Sequence, residues 1–97
     1  MNPRLKNENN DALFDAILTL QDREECYRFF EDICSIAELK SIAQRFAVAR
    51  MLRDGKVYSE IVETTGASTA TISRVNRALT GGCDAFEMVF SRMEQEK

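Results

Sequence analysis

Arg74 and Arg77 stand one helical turn apart, in a stretch that also carries hydroxyls at Ser68, Thr69, Thr71 and Ser73. Those residue types at that spacing suit one chemistry, recognition of a nucleic-acid duplex. An arginine fork engages phosphate or the acceptor edge of guanine. Small and hydroxyl-bearing side chains at the start of a helix let its backbone sink into the major groove. The stretch reads GASTATISRVNRAL from Gly66 to Leu79. Gly66 can adopt the left-handed conformation that stops a helix abruptly, and Ser68 offers a hydroxyl cap to the next one. Ile61, Val62, Ala67, Ile72, Val75 and Leu79 fall where two helices crossing at a steep angle must pack.

This pattern predicts a helix-turn-helix at about 58–79. Thr69, Ala70, Ser73, Arg74 and Arg77 are left facing outward. Ser68, Thr71 and Thr80 complete the expected DNA-contacting set. The competing reading is a surface helical hairpin rich in threonine and serine by accident. Threonine is a weak helix former, which makes it an odd choice for scaffolding alone. Val62 is bulkier than the small residue usual at such a crossing, and Val57 stands where a hydroxyl cap would be expected.

Charge is distributed to match. Net charge is −3 overall. Residues 1–34 carry four basic against eight acidic side chains, and residues 35–82 carry seven against four. From residue 83 on, two basic side chains face four acidic ones. The positive field is therefore centred on the stretch that could meet phosphate.

At 97 residues the chain is one small domain, and at 44% hydrophobic it is too apolar to be disordered. A chain this short is marginal alone, so it packs a lean core or shares one with a partner. There is no histidine, and Cys26, Cys34 and Cys83 show no CxxC spacing. A zinc site, a disulfide scaffold and histidine-based catalysis are all disfavoured. The cysteines read as small buried apolar groups. No metal, cofactor or catalytic residue is expected. The carboxylates read as helix caps and solvated faces, and Gly81-Gly82 as a helix break rather than a phosphate loop. No run approaches membrane-spanning length and no signal-peptide core follows the N-terminus, so a cytoplasmic protein is expected.

The elements that must position the arginines are helices. Residues 1–10 are polar and expected to be flexible, ahead of a single helical domain over 11–97. Leu13, Phe14, Ile17 and Leu18 predict a helix over roughly 11–20. A second opens at Asp22 with Glu25 three residues on, and carries Cys26, Phe29, Phe30 and Ile33. Ser35 and Glu38 form a capping box for a third, which runs to Leu52 and stops before Gly55. Arg50 and Arg53 sit in its last turn, where cations suit the helix dipole. A short helix covers Tyr58 to Thr65, and the next covers Thr69 to Leu79. Asp84, with Glu87 three residues later, caps a final helix bearing Phe86, Val89, Phe90 and Met93.

The stretch RMLRDGKVYSEIVETTGASTATISRVNRAL resembles the DNA-reading half of the trp repressor family, and most closely its YerC/YecD branch. The likeness extends over roughly residues 34–95. It implies an all-α, six-helix fold with a helix-turn-helix, built as an intertwined homodimer. Two heads would then address successive major grooves of a near-palindromic operator in double-stranded DNA. In tryptophan-responsive members a corepressor wedges between body and head. By resemblance Arg45 and Arg74 would bracket such a ligand, with Thr71 and Ser35 lining its pocket. An arginine fork can hold an amino-acid carboxylate, and its plane can stack on a flat ring.

Two departures argue against tryptophan itself. Val75 stands where the family has glycine, and a valine would intrude at the indole edge. Ala78 stands where it has a serine. The effector alternatives are a different amino-acid-like ligand, such as histidine, or none. The functional expectation is a sequence-specific DNA-binding transcriptional regulator that acts as a repressor. The alternative is a helical protein-interaction module without specific DNA binding.

Overall fold

The computed structural model describes residues 1–96, and among them all regular structure is helical. A single 3-10 turn, Pro3–Leu5, precedes α1 (Glu8–Ile17), α2 (Arg23–Ile33), α3 (Ile36–Arg53), α4 (Tyr58–Thr65), α5 (Thr69–Gly81) and α6 (Ala85–Gln95). The chain forms two compact units, Met1–Leu39 and the residues from Lys40 on.

In the first unit the caps explain the boundaries. Helix α1 starts three residues earlier than expected, because the Asn7 side chain accepts from the Asn10 amide at 2.8 Å. The segment expected to be flexible thus contains a 3-10 turn and the first turn of α1. Asp22 caps α2 as expected, accepting from the Glu25 amide at 2.9 Å. Glu25 reaches back one residue further, to the amide of Gln21. Ser35 and Glu38 close the expected box at the start of α3, with bonds of 2.9 and 3.1 Å. The Ser35 backbone amide holds the Glu38 carboxyl below its ordinary range, and the Ser35 hydroxyl adds to the effect. Neither α1 nor α2 has a fully buried residue, although both carry an apolar stripe. Phe14 is 55% exposed, Leu18 82% and Ile36 89%.

The second unit has its own core. Val48 and Ala49 of α3, Ile61 of α4, Ala67 of the turn, Ile72 and Val75 of α5, and Phe90 of α6 are all buried. Phe90 meets the Phe46 ring at 5.2 Å between centroids and the Phe86 ring at 6.1 Å. Four helices therefore contribute to one cluster, and α5 lies on it with one face turned in.

Four expectations are corrected, the first three of them in this unit. Val62 is 37% exposed and not a core residue, because Ile61 takes the inward position of α4. Helix α5 runs two residues beyond Leu79, to Gly81, where the Gly82 amide bonds the Ala78 carbonyl. Asp84 is not a side-chain cap: its backbone is left-handed at φ 62°, and its carboxylate accepts no capping bond. The cysteines are not buried. Cys26 and Cys83 are exposed and Cys34 is half-buried, because α2 buries nothing fully within one chain and Cys83 lies in the connection before α6.

Candidate nucleic-acid interface

The turn between α4 and α5 depends on one glycine. Gly66 ends α4 with φ +74°, and its amide bonds the Val62 carbonyl at 2.9 Å. Thr65 then stitches the turn, donating its hydroxyl to the Ile61 carbonyl and accepting from the Ala67 amide. Gln44 of α3 donates to the Thr65 carbonyl at 3.0 Å, which satisfies a carbonyl the end of α4 would otherwise leave open. A Cβ at Gly66 would meet only the Gln44 amide nitrogen, at 4.0 Å. Gly66→Ala is thus expected to cost only its backbone strain, about 1 kcal/mol, visible as a lowered urea midpoint with unchanged slope.

Ser68 caps α5, accepting from the Thr71 amide at 3.1 Å and donating to the Thr71 hydroxyl at 3.1 Å. Ile72 and Val75 carry the buried face. On the other side Thr69, Ala70, Arg74, Arg77 and Thr80 are exposed, and Ser73 is half-buried among them. The structure thus gathers Thr69, Ala70, Ser73, Arg74 and Arg77 on one side of the helix. The Thr80 hydroxyl is turned back, donating to the Asn76 carbonyl at 2.9 Å. Among the described residues neither Arg74 nor Arg77 pairs with a carboxylate. Both charges are available to an anionic partner.

A crevice of about 230 Å³ lies between α3 and α5, lined by Ser41, Gln44, Arg45, Thr71 and Arg74. It brings together three of the expected ligand-site residues, Arg45, Thr71 and Arg74. Arg45 donates Nε to the Ser41 carbonyl at 3.3 Å and has no carboxylate partner among the described residues. Ser35 belongs to the other unit and is occupied as the cap of α3. Val75 does not line this crevice, since its side chain is in the core. Ser41 and Gln44 were not anticipated. Ser41 carried a signal in its spacing, four residues before Arg45 and so on the same helix face, whereas Gln44, adjacent to Arg45 in the chain, carried none.

A helix-turn-helix on a four-helix cluster, with a basic outer face and a polar crevice behind it, defines a class of small DNA-reading folds. The profile of the Trp repressor protein family matches residues 8–94. The chain belongs to the Trp repressor family. It is 55% identical over 92 residues to the Bacillus subtilis protein YerC, covering 95% of this chain and 88% of that one. It is 32% identical over 88 residues to a Trp operon repressor homolog of Chlamydia trachomatis, covering 86% and 93%. The crystal structure of a TrpR-like protein from Eubacterium eligens superposes with a TM-score of 0.92 at 54% identity, covering 96% of each chain. The six-helix all-α fold is thus trp-repressor-like, and membership points to a DNA-binding regulator, from a family of regulators rather than enzymes. Among the described residues no helix is long and apolar enough to cross a membrane.

Proposed function

We propose that this protein is a sequence-specific transcriptional regulator, a repressor that binds a near-palindromic operator as a homodimer. The observation that carries the reading is the split face of α5. Its inner side is buried at Ile72 and Val75, while its outer side presents Thr69, Ala70, Arg74 and Arg77 to solvent, with neither guanidinium paired to a carboxylate among the described residues. Thr69, Ala70 and Ser73 are small enough to admit a groove wall, and Arg74 and Arg77 reach phosphates or guanine edges. Ser68 and Thr71 place the positive end of the helix at phosphate, and Thr80 borders the contact at its far end.

The dimer is supported by the first unit. Apolar side chains as exposed as Phe14, Leu18, Ile33 and Ile36 are unusual on a stable monomer, and a second copy of the same chain would cover them.

The crevice between α3 and α5 would hold a small amino-acid-like effector. Its volume is below the ~300–1,000 Å³ of drug-sized sites, and two guanidiniums and three polar side chains favour a carboxylate over a bulky apolar ring. Ligand there would bias the head toward one orientation. Arg45→Ala is expected to leave ligand-free DNA affinity within about twofold and to remove the ligand response. A large loss with no ligand present would make Arg45 structural or a DNA contact.

The deciding experiment is selection from a random duplex library by the purified protein, with and without a mixture of amino acids. An enriched palindrome supports the regulator reading, and enrichment only with the mixture supports an effector. No enrichment from a folded dimer in either condition would favour a protein-interaction module instead.

A further inference from the structure

We propose that Arg53 is a positioning residue that sets the orientation of the DNA-reading head, and through it the half-site spacing the protein accepts. The proposal rests on the DNA-binding reading above.

The head, α4 to α5, joins its supporting helices through two necks. The chain enters through Asp54–Lys56, where Gly55 has φ +82° and a Cβ would meet nothing within 4 Å. It leaves through Gly82 to Asp84, the latter at φ +62°. Left-handed residues with short connections are where a rigid body can pivot. Arg53 is the last residue of α3, immediately before the entry neck. Glu87 lies in the first turn of α6, just after the exit neck.

Arg53 donates Nε to Glu87 Oε2 and Nη2 to Glu87 Oε1, both at 2.9 Å, so the fork engages the carboxylate side-on. Its Nη1 bonds Glu94, two turns further along the same face of α6. The guanidinium carbon sits 5.4 Å from the centroid of the buried Phe90 ring. One side chain thus closes the base of the loop that contains the head. Exposed ion pairs add little to global stability. A planar fork fixed by three bonds and a ring beneath it is instead a directional constraint. Arg50 supplies a natural control. Its guanidinium also lies over a ring, that of Phe46 at 5.5 Å, but it engages no carboxylate among the described residues.

The test compares the full chain with Arg53→Met, which keeps the stem and deletes the fork, with the Glu87→Gln/Glu94→Gln pair, and with Arg50→Met. Each is titrated on the duplex selected by the wild type, on the same duplex with its half-sites moved by one base pair, and on a single half-site. The wild type should prefer its own spacing by about tenfold, since both heads must engage at once. In Arg53→Met and the glutamine pair that preference should shrink to about twofold, with half-site affinity and that of Arg50→Met near wild type.

Uniform weakening on every duplex would make Arg53 a plain stabilising residue and overturn the proposal, as would an intact spacing preference. Backbone relaxation without DNA separates this from the DNA reading. Amides of α4 and α5 should tumble with α3 in the wild type and gain independent motion in Arg53→Met. Unaltered head motion removes the positioning role even if DNA binding stands.

Discussion

Thr69→Asp will abolish specific DNA binding while leaving the fold in place. Thr69 is the first residue of α5 and is exposed, directly after the Ser68 cap. A carboxylate there suits the helix, because the N-terminal end of the dipole favours negative charge. It does not suit the complex, where it would stand against phosphates and acceptor edges. A misplaced like charge at an interface costs several kcal/mol, so specific affinity should fall by about a hundredfold or more. Ser73→Asp should act in the same direction from one turn further on, with less reach because Ser73 is half-buried. Anisotropy titration on the selected duplex, with circular dichroism and gel filtration alongside, checks the split. Operator affinity kept at the wild-type level would mean that α5 does not enter the groove.

Ile72→Ala should have the largest effect on stability. Ile72 is fully buried in the cluster that joins α3, α4, α5 and α6. Removing a buried isoleucine side chain to the β-carbon costs about 2–5 kcal/mol, a large share of the ~5–15 kcal/mol that keeps a small domain folded. The neighbouring Val62→Ala makes the contrast, since Val62 is over a third exposed and should cost about 0.5 kcal/mol. Urea unfolding followed by circular dichroism measures both. Equal costs would mean that the crossing of α4 and α5 is not packed around Ile72.

Much of this was legible from local signals. A cap, a helix stop and an apolar stripe each span a few residues, so Asp22, the Ser35–Glu38 box, Gly55 and Gly66 could be read directly. The outward set on α5 followed from helical period alone. Val62 was misplaced because two adjacent valine-like residues, Ile61 and Val62, both fit an apolar stripe, and only the packing of α4 chose between them. Asp84 was misread because a capping pattern requires extended backbone at the cap. The left-handed turn after Gly82 withheld it, and Glu87 was drawn to Arg53 instead. The cysteines were misread because composition gives a residue's average burial, whereas α2 buries nothing fully within a single chain.

By itself the sequence determined the helical class, the position of the helix-turn-helix and the face that carries its arginines, because helical period and capping are properties of neighbours along the chain. Tertiary structure alone decided which side chains meet across it. Arg53 could be placed in a last turn but not against Glu87 and Glu94, 34 and 41 residues away. Gln44 gave no sign that it would hold the carbonyl of Thr65 or share a crevice with Arg74. Those pairings depend on how helices cross, and crossing is set by the shape of the whole core rather than by any local run of residues.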